Sequence, residues 1–281
     1  MTTIWRYTLL RLRGQIIGWG LALAALALIV AALYDTAVQM RAQIEQLVST
    51  LPPEFMTLIG GLDTLFNPAG FLDARYFMLL PVILGVFAAI IGSGLLVSDE
   101  ENGTLDLILA HPVRRAELFI GRWLAFAAAL IGILFIAWIG LLLGSSLSSI
   151  KLDWLKALQP FASLFAVTLW FGGLALLFSM ILPSRRLAAS ASGLIVVASF
   201  FITTLSSISS NLSGLATWSP ITAYQGGKAI TRFDVGQFLG LIFVSIVFVA
   251  IGLWLFQRRD IRIAGEGGWR LPRLIARHPR A

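Results

Sequence analysis

Long runs without a charged side chain dominate the chain: residues 14–34, 76–98, 123–150, 157–184, 187–227 and 235–257 contain no Asp, Glu, Lys or Arg. A helix needs about 20 mostly apolar residues to cross a hydrocarbon core of roughly 30 Å, so each run is long enough to span a bilayer. The fifth run turns polar after Leu205, through Ser206, Ser207, Ser209, Ser210, Asn211 and Ser213. Its helix is therefore expected at its start, with an external or re-entrant segment behind it. Inside lipid every backbone amide must be bonded within its own segment, which makes such runs helical. A β-barrel would show short alternating segments instead. The predicted fold is all-α: a polytopic membrane protein with six transmembrane helices near residues 15–34, 76–97, 119–144, 160–182, 187–206 and 236–256, forming a single transmembrane domain over 1–281.

Composition points the same way. Of 281 residues, 58% are hydrophobic and 12% charged, against roughly 25% charged in ordinary soluble domains. The mean hydropathy is +0.88, more apolar side chain than one soluble core can hide. There is no cysteine, which excludes disulfide scaffolds, thiolate metal sites and cysteine nucleophiles. The only imidazoles are His111 and His278, too few for a histidine metal cage. The formal charge of +7 is scattered at the ends of the apolar runs, so it reads as membrane-orienting charge and not as a nucleic-acid surface. With both termini in the cytoplasm, only Arg41, Arg75, Lys151, Lys156, Lys228 and Arg232 of the 21 basic residues lie outside. That asymmetry fixes the expected topology.

Between the spans the pattern predicts further elements. Ile4, Trp5, Thr8, Leu9 and Leu12 share a helical face opposite Arg6 and Arg13, as in an amphipathic N-terminal interfacial helix; a frayed tail with orienting arginines is the alternative. The first apolar run is longer than the 7 to 15 residues of a signal h-region, so an uncleaved first span is expected. The external loop 35–75 carries apolar residues at helical spacing from Ala37 to Leu51, ended by Pro52 and Pro53, and is predicted to be helical. The short turn at Leu182-Pro183-Ser184 makes spans four and five antiparallel neighbours. Residues 257–281 form a basic cytoplasmic tail that would meet anionic lipid.

The informative stretch joins spans two and three. Asp99, Glu100 and Glu101 precede Asn102-Gly103-Thr104 and a short apolar run that stops at Pro112. Thr104 is the expected cap of a short helix over 99–111 whose positive end is matched by the carboxylates. It would lie along the membrane with an acidic end open to a cytosolic partner; short amphipathic connectors without a partner are the other reading.

The pattern Glu-x-Gly-Thr-Leu-Asp-x-x-Leu-x-x-Pro-Val-x-Arg over residues 101–115 resembles the coupling helix of ABC type-2 exporter permeases. The likeness extends to the six spans, the amphipathic N-terminus, the long first external loop and Ser219-Pro220 before the last span. It implies an exporter permease that carries no catalytic residue or metal of its own, driven by ATP and Mg on two copies of a partner ATPase subunit. A second permease copy or a homologous permease would complete the pathway in the cytoplasmic membrane of a prokaryote. By position, the resemblance makes Asp99, Glu100, Glu101, Gly103, Thr104, Leu105, Asp106, Leu109, Pro112 and Arg115 the ATPase-coupling residues. Many relatives place a basic residue between two acids where this chain reads Asp99-Glu100-Glu101-Asn102, so which carboxylate meets the partner stays open. The resemblance also implies that spans two and five line the pathway, with Phe77, Met78, Phe87, Ser199, Phe200, Thr203 and Thr204 as candidates; the same residues are good packing material. A drug, antibiotic or other amphiphile would suit such a wall.

The chain has no Gly-x-x-x-x-Gly-Lys-[Ser/Thr] loop, so P-loop hydrolysis must come from elsewhere. The charge-free runs offer no intramembrane carboxylate for an ion-coupled transporter. That reading and a non-transporting, lipid-binding scaffold are the alternatives.

Overall fold

A computed structural model describes residues 2–41, 43, 46, 66–105, 108, 110, 113–206 and 213–258. Among these there is no strand, and six helical passages are long and apolar enough to cross a membrane. They are α1 (Thr2–Gln39), α2 with α3 (Pro68–Leu72, then Leu80–Glu101), α4 (Arg115–Leu147), α5 (Leu158–Ile181), α6 (Arg185–Ser206) and α8 (Val235–Arg258), with the single turn α7 (Ser213–Ala216) between the last two. The polytopic all-α architecture is thus in place. The helix expected between Ala37 and Leu51 begins inside α1, which runs on to Gln39; residues 47–65 of loop 35–75 and tail 259–281 lie outside the described residues.

The N-terminal amphipathic segment is not a separate interfacial helix but the first turns of α1, which runs unbroken for 38 residues. At 1.5 Å per residue this is about 57 Å, well beyond the hydrocarbon thickness. It stays joined because α4 runs alongside it for most of its length. Side chains would prevent that approach. A Cβ on Gly140 would collide with the backbone of Ala24, and one on Gly144 would lie 2.9 Å from the Ala31 Cβ. Ala24, Ala27 and Ala31 are buried along the facing stripe. Small residues spaced by four let two helix backbones close up in lipid, where packing and not hydrophobic exclusion drives association. At the far end the pair is tied again, the Ser149 amide donating to the Asp35 carboxylate at 2.8 Å.

The hub of the bundle is α5, which packs against α3, α6 and α8 and is the most enclosed span. Glycines again set its approach to α3: a Cβ on Gly92 would lie 2.6 Å from the Gly172 carbonyl oxygen. Fully buried Phe77, Phe126 and Phe171 fill the space beside it. The second passage enters through Asn67, whose Oδ1 accepts the Ala69 N–H at 3.1 Å. A π-helical turn comes next at Asp73–Phe77, before α3. Exposed Leu10, Leu21, Ile131, Leu194, Phe243 and Ile246 form the outer apolar coat, as lipid-facing helices require.

Candidate functional site

The N-terminal end of the bundle holds a charged cluster where apolar helices converge. Asp99 accepts from Arg122 at 2.5 Å and from Arg11 at 3.1 Å, and the Arg122 guanidinium also donates to the Leu95 carbonyl at 2.6 Å. Asp99 and Arg122 are both buried. One carboxylate thus joins α1, α3 and α4. The Glu101 carboxylate accepts the Arg185 backbone N–H at 2.9 Å, so α3 also caps the first turn of α6.

This corrects the sequence-based placement of the acids. Asp99, Glu100 and Glu101 form the last turn of α3, which ends at Glu101, and not the start of the next helix; Asp99 and Glu100 are buried. Acids at a helix C-terminus oppose the helix dipole. The positive partners from α1 and α4, and the amide of α6, offset that here. The missed signal is Arg122 itself, a guanidinium two turns into α4, beyond which that helix carries no further charge. The charge-free runs end just short of Asp99 and Arg122, so the spans do contain a buried ion pair. A part-buried carboxylate sits at the other end, where Asp73 accepts the Gly227 N–H at 2.6 Å.

Beyond Glu101 the chain reverses through a Schellman turn. The Gly103 N–H donates to the Glu100 carbonyl at 3.0 Å and the Thr104 N–H to the Asp99 carbonyl at 2.9 Å. Gly103 has φ +68°, the left-handed conformation in which glycine has no steric penalty. The Thr104 hydroxyl donates back to the Asp99 carbonyl at 3.2 Å, closing α3. The Thr104 carbonyl accepts the Ile108 N–H at 3.2 Å; residues 106 and 107, whose amides a cap at Thr104 would satisfy, lie outside the described residues. Leu105 is buried, with Ile108 and Val113 packed against the same core. Asp106, Leu109 and Pro112 lie outside the described residues. Arg115 opens α4.

The candidate pathway residues do not form one surface. Phe77 is fully buried, 5.5 Å from Phe161 across the α5 interface, and its carbonyl accepts from Tyr224 at 3.1 Å. Phe87 is buried against Trp19 of α1 at 5.4 Å. Both are core of the protomer, as is Ser199, whose carbonyl accepts from Ser219 at 3.1 Å. Thr203 bonds the hydroxyls of Ser219 and Thr222 at 2.8 and 3.0 Å, fastening the far-end segment to α6. Met78 is exposed, and Phe200 and Thr204 are half-buried.

That far-end segment folds into the bundle. Gln225 and the 3-10 helix Gly226–Ile230 are mostly buried. The Gln225 amide accepts from Asp234 and donates to its carbonyl, both at 2.7 Å. The Gln225 N–H donates to Ser163 at 3.0 Å.

Six apolar helices around a glycine-lined hub, with a buried charge cluster at one end, define a multi-pass membrane protein. The family model for ABC-2 family transporter proteins matches residues 13–261. The chain belongs to that family, and it is a membrane permease of the ABC type. No curated protein matches its sequence.

Proposed function

We propose that the chain is the permease subunit of an ABC exporter, working beside a second copy or a homologous permease over two separate ATPase subunits that bind ATP and Mg. Residues 102–114 are the contact through which ATPase closure reaches the spans. The observation that carries this reading is the anchoring of that connector. Asp99 on its entering helix is ion-paired to Arg122 on its leaving helix, and Leu105, just past the turn, is buried in the core. A push on the connector therefore moves α3 and α4 together and takes α1 with them through Arg11. The distribution of Lys and Arg turns this end to the cytoplasm, where both termini lie in the inner membrane of a prokaryote. The exported substrate is an amphiphile of the drug or antibiotic kind, carried between two permeases.

The cysteine-free chain allows a direct test. Single cysteines at Thr104 and Asp106 should crosslink to a co-expressed ATPase, and the permease should stimulate ATP hydrolysis in lipid nanodiscs. If neither position crosslinks and hydrolysis ignores the permease, the scaffold reading takes its place.

A further inference from the structure

A cavity of about 180 Å³ opens at the N-terminal end of the bundle, between α1, α3, α4 and α6. Its walls carry three guanidinia, those of Arg11, Arg122 and Arg185, and no carboxylate. Asp99 lies behind them and satisfies Arg122, which spends its remaining reach on the Leu95 carbonyl. Arg11 uses one N–H on Asp99 and its side chain is half exposed, so most of its five donors face the opening. Arg185 makes no ion pair among the described residues; only its backbone amide meets Glu101. Gly94 gives the Arg185 guanidinium its place in the wall: the three atoms nearest to a Cβ there all belong to that group, the closest at 2.7 Å. Leu12 and Ile91 supply an apolar side.

We propose that this cavity binds one phosphate group, gripped by Arg11 and Arg185 and backed by Arg122. Planar guanidinium forks match phosphate oxygens and hold them with charge-assisted bonds. Basic pockets between spans at this depth take lipid head groups, and the apolar wall beside the arginines suits a glycerol backbone. A phosphate diester of an anionic lipid and a free phosphate ion share the chemistry. The inference does not depend on coupling to an ATPase; it takes from the proposed topology only which leaflet is meant.

The full-length chain in detergent would be titrated with dioleoylphosphatidylglycerol and with dioleoylphosphatidylcholine by native mass spectrometry. One phosphatidylglycerol should bind about tenfold more tightly than phosphatidylcholine, a difference of about 1.4 kcal/mol. R11Q/R185Q should weaken that binding about fivefold or more, and R13Q/R186Q, which removes the same charge outside the cavity, should leave it unchanged. Gly94→Leu keeps every charge but fills the cavity, and should lose the site as well. Competition with inorganic phosphate separates the sources: displacement of the lipid assigns the site to free phosphate, and resistance assigns it to the head group. Equal losses in R11Q/R185Q and R13Q/R186Q would overturn the proposal, since binding would then track overall charge. So would a Gly94→Leu chain that elutes as intact protein and binds as before, or a wild-type chain that prefers neither phosphatidylglycerol nor phosphate.

Discussion

Asp99 and Arg122, 23 residues apart across the reversal between α3 and α4, form a buried ion pair at 2.5 Å. Taking both charges out of water is costly, and the geometry offsets that cost only while both partners are present. Asp99→Asn or Arg122→Met alone should lower stability by about 3–5 kcal/mol, because each leaves an uncompensated buried charge. The paired variant D99L/R122M should recover much of the loss. Arg11→Gln, at a half-exposed partner, should cost less than about 1 kcal/mol. Unfolding in a detergent series would rank the four chains; a double variant no better than the worse single would refute the pairing.

Gly103 should tolerate substitution according to backbone conformation and not size. At φ +68°, Ala costs on the order of 1 kcal/mol while Asn, which visits the left-handed region more readily, costs less. Permease-stimulated ATP hydrolysis should therefore fall in the order Gly, Asn, Ala, Val. Equal activity for Asn and Val would mean that the turn is not held in this conformation.

Glycines on the spans should divide by what faces them. Gly140→Val drives a side chain into Ala24 of α1 and should destabilise by about 1–3 kcal/mol or more through overpacking. Gly193→Ala on α6 meets nothing within 4 Å and should be neutral or stabilising by up to about 1 kcal/mol through helix propensity. Thermal unfolding of the two variants tests the opposite signs.

Tyr224 supplies a pH signature. The residue as a whole is half-buried, yet its hydroxyl is enclosed and donates to the Phe77 carbonyl. Burial raises its pKa well above the ordinary value, with the nearby Asp73 carboxylate and Tyr76 phenol adding to the effect. The neutral phenol is thus favoured by folding. Its stabilisation is whole below the unfolded pKa of about 10 and is lost as pH rises past it. Tyr224→Phe should cost about 1 kcal/mol at neutral pH and should flatten part of the fall in melting temperature between neutral and strongly alkaline pH. An unchanged pH profile would contradict the enclosed phenol.

The spans are legible in the sequence because their signal is long and one-dimensional: six charge-free runs, each with no option but a helix. Less legible is everything decided between helices. Asp99, Glu100 and Glu101 read as the start of the connector because acids suit a helix N-terminus. The partners of Asp99, Arg11 and Arg122, lie 88 and 23 positions away, and no local pattern joins them. Phe77 and Phe87 look like wall residues for the converse reason, since an aromatic in a span carries no mark of which neighbour it faces. Gly103 stands in the sequence only as the residue before the expected cap Thr104, whereas its Schellman bonds make it the end of α3 as much as the beginning of the connector.

The connector over residues 102–114 is riveted at both stems, by Asp99 where it leaves the bundle and by Arg122 where it returns. Stems pinned together in this way are the mounting of a bucket's handle and not the tie of a rope. A hand on a handle lifts the whole vessel, whereas a hand on a rope stretches only the rope; whatever grips this loop takes hold of two spans at once, with a third hung from the same rivet.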